Sequence, residues 1–534
     1  MAKKCCVLIL AATIVALALR LPRLSQRPMH GDEAVHAVKF GDLLENGVYK
    51  YNPHEYHGPT LNYLTLIPAH LISTSKLTQI GEVTLRIVPV FFGVCLVLLI
   101  LLLCDGLGVK ASIYAGILTA ISPAMVFYSR YYIQEMLLVC FTFGAIVSGY
   151  RYSQSKNIVW ALLAGTFIGL MHATKETCLI AFGSMFLALL ITLLMQQHKG
   201  AFKVIKLSHL IAGLAAGIVV SILFFSSFFT NPEGILDSVR TYTNYLDRAG
   251  NNSLHIHPWY YYIKMLIYSR YYDGPIWTEA IIVLLAVVGF VAVMAKKDVS
   301  FANIHLLRFI GFYTLILTVV YSAIPYKTPW CMLGFLHGMI LLAGVGAVVL
   351  VKLMPNVLPR LIILLLLFEG SIHLTWQTYL NNYRFYADSR NPYVYAHPTT
   401  EVFTIVDKIQ EYANVYKDAH NMPVDVICKE DDYWPLPWYL RSFKKIRWLN
   451  EVSNNTPSAP LIIASPDVEA ELTNKLYTLT PLEKRQMYMF LFDEPYYVWL
   501  RPKVKLLGFV RKDLWDSFQT YQAELNQSQG MGEK

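Results

Sequence analysis

The sequence predicts a polytopic α-helical membrane protein with a small α/β domain at its C-terminus. The chain has 534 residues, of which 55% are hydrophobic and only 15% charged, whereas about a quarter of the residues in soluble domains are charged. Apolar stretches of nearly helix-spanning length recur from residue 5 to about residue 378, and roughly 20 apolar residues let a helix cross a bilayer. From about residue 385 onward the sequence becomes mixed and polar.

About eleven stretches are predicted to cross the membrane. They lie near residues 5–22, 83–104, 111–128, 133–150, 158–172, 178–196, 207–229, 276–295, 303–324, 331–351 and 361–378. The apolar stretch 58–73 is shorter and is interrupted by Pro59 and Pro68. It is therefore predicted to be a helix at the membrane interface rather than a crossing.

The positions of lysine and arginine predict the orientation. If the N-terminus is cytoplasmic, the inner ends and short inner loops hold the basic residues Lys3, Lys4, Lys110, Arg151, Lys156, Lys199, Lys203, Lys206, Lys296, Lys297, Arg308, Lys352 and Arg360. The short outer hairpins carry only Arg130, Lys175 and Lys327, as the positive-inside rule requires. We therefore expect a multi-pass protein of the plasma (inner) membrane whose C-terminal residues, after an odd number of crossings, lie outside.

Two domains are predicted from the change in composition. Residues 1–384 form a membrane domain with long outer loops at 23–82 and 230–275, and residues 385–534 form an extracytoplasmic α/β domain. In the second domain, strand-like runs at 424–428, 445–449, 460–465 and 497–502 alternate with helical patterns at 401–416 and 466–477. The eight cysteines predict no disulfide within this domain, because it contains only Cys428.

The first outer loop carries the string MHGDEAVHA at residues 29–37. If residues 31–46 form a helix, Asp32 and His36 share a face while Glu33 points about 100° away. The two adjacent acids are therefore expected to have different roles. Acids in a first helical turn are also favoured by the helix dipole without any chemistry, and that alternative stays open.

Charged residues cluster at the outer ends of alternate helices. Arg130 and Glu135 in SRYYIQE follow the third span, Lys175 and Glu176 in HATKET follow the fifth, and Lys327 in IPYKTPW follows the ninth. An ionisable residue at membrane depth costs on the order of 2.5 to 3.5 kcal/mol, so such residues tend to face a cavity. We expect these clusters and the Asp-Glu pair to line one cavity that opens outward, although any single member could be an interfacial anchor.

A divalent metal ion is a possible cofactor for this cavity. Its ligands would be Asp32, Glu33, His36 and Glu135. The first loop also contains His30, His54 and His57, but no pair of histidines has a convincing zinc-ligand spacing. Histidines that contact solvent or substrate are therefore the favoured interpretation.

Transfer of a sugar from a polyprenyl phosphate would use outward-facing acids, a few cations and a cavity open to lipid. The hydroxyl of the acceptor must lose a proton, so Asp32 is predicted to be a general base. A departing phosphate needs positive charge rather than an acid, so Arg130, Lys175 and Lys327 are predicted to hold it, with Glu135 and Glu176 in support. The expected partners are the bilayer, a polyprenyl-phosphate sugar and a glycan, lipid or protein acceptor.

Two other functions stay open. A lipid-linked-sugar translocase, or its accessory protein, would use the same cavity without making a bond. It would need polar residues through the bundle, whereas the sixth and seventh spans contain no charge. A structural scaffold would not need so many desolvated ionisable groups, and nucleic-acid binding is not expected, because the net charge of +9 lies largely on the inner membrane flank.

Several strings resemble known proteins. The Asp-Glu pair after the first span, HGPTLNY, the Ser-Arg…Glu motif and the outer C-terminal domain resemble the GT-C membrane glycosyltransferases, in the branch of protein O-mannosyltransferases and lipid A aminoarabinose transferases. More narrowly, SRYYIQE, ATKET, YKTPW and DDYWPLPWYLR (431–441) look like a prokaryotic family of that branch, some of whose members are labelled flippase-activity-associated proteins.

The resemblance implies a GT-C fold and an outward active site that uses a polyprenyl-phosphate sugar. Our leading hypothesis adds that the transfer inverts the anomeric carbon. By motif position, Asp32 would be the central catalytic residue and Glu33 the second acid. Related transferases bring a cation to the donor phosphate from the segment before the second span, where this chain has His57. In DDYWPLPWYLR, the side chains of Asp431, Asp432 and Trp434 are expected to dock the soluble domain onto the bundle rather than to bind the acceptor.

Overall fold

The computed structural model describes residues 2–54, 57–195, 206–251 and 255–532. The end of the predicted span 178–196 and the inner-loop residues Lys199 and Lys203 lie outside these ranges. The chain divides into two compact units. We call Met1–Leu24, Lys39–Lys76 and Ile80–Tyr395 the membrane unit, and Ser25–Val38, Leu77–Gln79 and Ala396–Lys534 the C-terminal unit. The segment with the Asp-Glu pair thus belongs to the C-terminal unit.

The chain up to residue 395 is helical. Its α-helices are α1 (Ala2–Arg20), α2 (Gly31–Asn46), α3 (Thr60–Leu71), α4 (Glu82–Leu99), α5 (Cys104–Leu107), α6 (Val109–Ile121), α7 (Pro123–Ser129), α8 (Glu135–Ser155), α9 (Ile158–His172), α10 (Cys178–Leu194), α11 (Leu207–Phe225), α12 (Glu233–Asn251), α13 (Tyr261–Ile267), α14 (Ala280–Ala295), α15 (Ile304–Ala323), α16 (Leu333–Leu353) and α17 (Val357–Tyr379). With 12 residues, α3 is about 18 Å long at 1.5 Å per residue. This length is too short for a hydrocarbon core of about 30 Å.

Six helical segments in the described residues are long and apolar enough to cross a membrane. They are Glu82–Leu107, Glu135–Ser155, Leu207–Phe225, Ile304–Ala323, Pro329–Leu353 and Val357–Arg384. The pair Val109–Ile121 and Pro123–Ser129 makes a seventh that is bent by 56°, and Ile158–His172, Cys178–Leu194 and Ala280–Ala295 are shorter apolar helices. The predicted number of eleven crossings stays a prediction.

The bend between α6 and α7 follows from local chemistry. Pro123 has no backbone N–H to donate into α6, and the side chain of Ser122 accepts a hydrogen bond from the Met125 N–H to begin α7. Buried Glu279 completes the junction: its carboxylate accepts the Ser122 hydroxyl at 2.5 Å and the Ala124 N–H at 2.9 Å. The junction positions the SRYYIQE string, which follows α7.

The C-terminal unit contains a six-stranded sheet. The strands are β1 (Val424–Ile427), β2 (Ile446–Leu449), β3 (Leu461–Ala464), β4 (Tyr488–Phe490), β5 (Tyr497–Arg501) and β6 (Val504–Arg511), in the order β2-β1-β3-β6-β4, with β5 also pairing with β6. β1 is parallel to β2 and β3, whereas β6 is antiparallel to its neighbours. The four predicted strands are present, and β4 and β6 add to them.

Helices cover both faces of this sheet. They are α18 (Glu401–Val415), α19 (Leu436–Tyr439), α20 (Glu469–Asn474) and α21 (Lys512–Gly532). Alternate residues of β3 point to opposite faces, so Leu461 and Ile463 pack in the core with α18 and α21, and Ile462 packs in the core with α20. The result is a three-layer α/β/α arrangement, as expected for strands that are buried on both faces.

Candidate active site

Helix α2 begins at Gly31, so Asp32 and Glu33 lie in its first turn, as the sequence predicted. The Glu33 side chain is completely buried, and its carboxylate lies 3.6 Å from the guanidinium of Arg27, which is 7% exposed. The same carboxylate accepts the backbone N–H of His30 at 3.1 Å. An acid in the first turn that reaches back to the preceding backbone closes the helix start. Glu33 therefore fixes the backbone that leads into Asp32.

Asp32 has a different environment. Its side chain is 52% exposed, and its backbone N–H donates to Nδ1 of His30 at 3.0 Å. A nitrogen that accepts a hydrogen bond carries no proton, and burial, the largest cause, lowers the pKa of His30 below its ordinary value. His36, one turn further along α2, is buried. The two acids thus lie in different environments, and Asp32 presents the accessible carboxylate; that they have different roles stays a prediction.

The DDYWPLPWYLR string packs against this first-loop segment within the C-terminal unit. The Met29 N–H donates to the Tyr439 hydroxyl at 2.7 Å, and Nε of Arg441 donates to the Leu77 carbonyl at 3.2 Å. A Cβ placed on Gly31 would lie 3.8 Å from Cβ of Trp434. Sequence reasoning did not anticipate this contact between two strings that lie 400 residues apart. Docking onto the bundle stays a prediction.

In the membrane unit, Arg130 follows α7, and its side chain reaches the C-terminal end of α1. Its guanidinium donates to the carbonyl oxygens of Arg20 at 2.9 Å and Arg23 at 3.2 Å, and it lies 4.9 Å from the ring centroid of Tyr383. The last carbonyls of a helix have no partner within the helix and attract cations. Arg130 therefore stabilises the end of α1, and a donor phosphate would have to share it with these carbonyls.

Lys175 forms a buried ion pair with Glu135, the first residue of α8. The two side chains are 8% and 6% exposed. A cavity of about 30 Å³ beside the pair is also lined by Trp330, the last residue of IPYKTPW, and by Cys331, which follows it. This volume is large enough for a water molecule. The structure thus brings together one charged residue of SRYYIQE, Glu135, and one of ATKET, Lys175, and the two are partners of each other.

Glu176, the next residue, pairs with His57 across the connection between α9 and α10. The His57 Nδ1 lies 2.7 Å from the carboxylate, which also accepts the Tyr51 hydroxyl at 3.1 Å. Burial is the largest influence on the Glu176 pKa and raises it, but the His57 imidazole and the other contacts outweigh burial and lower the pKa to about 2. His57 therefore has a carboxylate partner and is not simply a cation directed at a phosphate.

The HGPT and HATKET strings meet through backbone contact. A Cβ on Gly58 would lie 2.2 Å from the Ala173 carbonyl oxygen, so only glycine allows this approach. The Thr60 N–H donates to the same oxygen at 3.2 Å, and the hydroxyl oxygens of Thr60 and Thr174 are 2.8 Å apart. The contact fixes the position of the His57–Glu176 pair.

Lys327 is held by the second outer loop. Its ammonium donates to the carbonyl oxygens of His257, at 3.1 Å, and of Ile324. The Tyr395 hydroxyl lies 2.5 Å from Nδ1 of His255 and 3.1 Å from Nε2 of His257. The predicted phosphate cation thus has carbonyl oxygens as its described partners, unlike Lys175 and His57.

The predicted metal ligands are divided between the units. Asp32, Glu33 and His36 belong to the C-terminal unit, whereas Glu135 belongs to the membrane unit. Within the ranges that the structure describes, no three His, Cys, Asp or Glu side chains form a cluster that could hold a metal ion. The metal, and the predicted convergence of Asp32 with Arg130, Lys175 and Lys327, stay predictions.

The membrane unit also contains an apolar groove of about 580 Å³. It lies along α9 and α11 and extends to the start of α12. The two helices approach closely, because a Cβ on Gly165 would lie only 1.8 Å from the Gly213 carbonyl oxygen. His172 and Ser221, which form a short hydrogen bond, provide polar groups on the wall of the groove.

Comparisons with known proteins concern both sequence and fold. The family model described as dolichyl-phosphate-mannose-protein mannosyltransferase matches residues 62–225, less than half of the chain. No curated protein sequence matches the chain significantly. The narrower resemblance to the flippase-labelled proteins stays a prediction.

Solved structures match nearly the whole chain. ArnT from Cupriavidus metallidurans, bound to undecaprenyl phosphate, is 15% identical, with 94% of this chain and 97% of that chain covered and a TM-score of 0.61. The oligosaccharyltransferase AglB from Archaeoglobus fulgidus, in complex with an inhibitory peptide and a dolichol-phosphate, is 11% identical, with 88% and 70% covered and a TM-score of 0.53. The chain therefore has the helical GT-C fold with a small C-terminal sheet domain, as the sequence predicted.

Proposed function

We propose that the protein is a membrane glycosyltransferase that moves a sugar from a polyprenyl-phosphate donor to an acceptor on the outer face of the plasma (inner) membrane. One observation carries this proposal: a half-exposed carboxylate, Asp32, is mounted on a helix start that the buried Arg27–Glu33 pair holds rigid. A general base must be accessible to substrate and fixed in position. The shared fold and the partial match to the mannosyltransferase family model support the assignment.

In this proposal the two acids divide the work. Asp32 takes the proton from the acceptor hydroxyl, and the acceptor oxygen attacks the anomeric carbon from the side opposite the phosphate, which inverts that centre. Glu33 positions Asp32 and does not touch the substrate. Among the predicted cations, Lys327 is the leading ligand of the donor phosphate, because its described partners are neutral carbonyl oxygens, whereas Glu135 already compensates the charge of Lys175.

The apolar groove along α9 and α11 would hold the isoprenoid chain of the donor. A polyprenyl chain is as apolar as the surrounding lipid, so close packing in the groove, rather than removal from water, would hold it there. The solved structures of ArnT and AglB contain undecaprenyl phosphate and a dolichol-phosphate, respectively, which supports a donor of this class. A divalent metal, if the reaction needs one, would be revealed by loss of transfer after chelation and recovery with added Mg²⁺ or Mn²⁺.

Sugar transfer by the full-length protein in proteoliposomes tests the proposal. The donors are radiolabelled polyprenyl-phosphate monosaccharides, and the acceptors are membrane extracts of the source cells. Asp32→Asn should lower transfer by about 10²- to 10⁴-fold, the usual contribution of a general base, and should keep the elution profile of the wild type. Asp42→Asn, on the same helix with an exposed side chain, is the matched control and should transfer normally.

Two results would reject the proposal. Undiminished transfer by Asp32→Asn would exclude this carboxylate as the base. Labelled lipid that crosses the bilayer without forming a new glycosidic bond would instead identify a translocase.

A further inference from the structure

The two halves of DDYWPLPWYLR are packed differently. In the second half, Trp438 is completely buried, Tyr439 bonds to Met29, and Arg441 stacks over the Trp438 ring at 3.8 Å while it holds Leu77. These residues fix the first-loop segment. The first half contains two acids and two aromatic residues, and these are only partly buried or exposed. A purely structural role explains the second half. In the first half, Tyr433 also packs against the core of the C-terminal unit, but the two acids and Trp434 keep exposed surface that packing does not explain.

Three aromatic rings form a row in this first half and on the neighbouring edge strand β2. The centroids of Trp434 and Tyr433 are 6.3 Å apart with a 32° angle between the planes, and those of Tyr433 and Trp448 are 4.9 Å apart at 36°. All three side chains are partly exposed. The row begins beside Gly31, the residue before Asp32, because Trp434 approaches that glycine. It therefore leads away from the proposed base along the C-terminal unit.

Polar groups accompany the row. The Asp432 carboxylate is 48% exposed and pairs with Arg501. The Tyr433 hydroxyl donates to Asp431 at 3.0 Å. The turn before them is strained, since Glu430 and Asp431 both have left-handed backbones, with φ of 56° and 57°. This conformation is unfavourable for residues other than glycine, and such strain is typical of functional sites.

We propose that Tyr433, Trp434 and Trp448, with Asp432 and Arg501, form an acceptor subsite for a carbohydrate chain. The apolar C–H face of a sugar ring packs on an aromatic face, and its hydroxyl groups donate to carboxylates and accept from guanidinium groups. A lipid acceptor would not require the Asp432–Arg501 pair. The three partly exposed rings offer apolar faces beside polar groups, and a sugar ring has the same combination of an apolar face and polar edges. The acceptor class is thus a glycan.

This inference rests on the proposed function and names the acceptor of that same site. The end of the bound glycan would present a hydroxyl to Asp32. As its oxygen bonds to the anomeric carbon of the donor, the bond from that carbon to the phosphate oxygen breaks. The proton passes to Asp32, and the polyprenyl phosphate leaves with the electron pair.

Direct binding to the full-length protein tests the subsite without the need for transfer. The probes are manno-, gluco- and N-acetylglucosaminyl tetrasaccharides and a Ser/Thr-rich peptide, followed by saturation-transfer NMR in nanodiscs. We expect at least one tetrasaccharide to bind the wild type, and Trp448→Ala and Trp434→Ala to weaken it about tenfold or more, as the loss of a ring contact predicts. Trp448→Phe should retain most of the binding. Tyr521→Ala, which removes an exposed ring from α21, should bind like the wild type.

The outcomes separate this inference from the proposed function. Asp32→Asn should bind the tetrasaccharide normally but transfer sugar about 10²- to 10⁴-fold more slowly than the wild type. If no tetrasaccharide binds, if Trp448→Ala binds normally, or if only the peptide competes at these residues, the glycan subsite is wrong, while donor-dependent transfer still stands. If the glycan binds as expected but no polyprenyl-phosphate sugar is consumed, the proposed function is wrong.

Discussion

Replacement of Glu135 by glutamine tests whether Lys175 is a structural cation or a ligand of the donor. The two side chains form an ion pair and are 6% and 8% exposed. Removal of one partner leaves a buried charge without compensation, which costs about 3 to 5 kcal/mol. At about 1.4 kcal/mol per factor of ten, the folded-to-unfolded ratio should fall by roughly two to nearly four powers of ten. Lys175→Met alone should be destabilising in the same way.

The double replacement Glu135→Leu/Lys175→Met supplies the decisive comparison. Because an apolar pair of similar volume often matches a buried ion pair in stability, the double variant should recover most of what either single variant loses. The assay is the fraction of monodisperse protein after heating in detergent, measured by fluorescence-detected size exclusion for all four proteins. A Glu135→Gln variant that melts like the wild type, or a double variant less stable than both singles, would refute the reasoning. A stable double variant that cannot transfer sugar would instead make Lys175 a donor ligand.

Three further predictions concern the neighbouring contacts. Glu33→Gln should remove the carboxylate charge that lies 3.6 Å from the buried Arg27 guanidinium and lower the free energy of unfolding by about 3 kcal/mol, measured by thermal melting. Gly58→Ala should reduce the yield of folded protein, because its Cβ would collide with backbone, whereas Gly81→Ala, whose Cβ would meet no atom within 4 Å, should express normally. The pKa of Glu176 is lowered from 4.5 to about 2. The stability that this carboxylate contributes is therefore complete above about pH 4.5 and is lost as the pH falls toward 2. The melting temperature should decrease over that pH range.

Each of these has its own control. His57→Ala removes the partner of Glu176 and should flatten the acid dependence of the melting temperature, so an unchanged slope would argue against the pair. Glu33→Gln should affect stability more than Asp32→Asn does, because the Asp32 side chain is half exposed. Equal losses for the two acids would mean that they share one environment.

Local sequence was sufficient for the elements whose pattern is self-contained. The helix assumed for residues 31–46 is present as α2, and the two acids in its first turn are favoured there by the helix dipole. Strands β1 and β3 were evident as short apolar runs. Strand β6 was not predicted, because only two residues separate it from β5 and the sequence does not mark the turn between them. In this turn Lys503 has a left-handed backbone, with φ of 74°. A lysine gives no warning of a left-handed turn, as glycine or asparagine would.

The candidate site was less predictable, because its meaning lies in contacts between distant strings. Helical spacing separated Asp32 from Glu33, but only the fold shows that Arg27 neutralises the second acid. The signal was present in RLPRLSQR, where the last arginine lies six residues before Glu33. Lys175 was assigned to the donor phosphate, and only the fold shows that it pairs with Glu135.

The boundary between the two units does not follow chain order, and this affects how the protein can be dissected. Residues 25–38 fold with the C-terminal unit, where Tyr439 and Trp434 are their neighbours. A fragment that stops near residue 384 would retain Asp32 in its sequence but lose the surroundings that shape it. Separate expression of the helical part should therefore give a protein in which Asp32 lacks these neighbours, so the sheet domain should not be treated as a removable appendage.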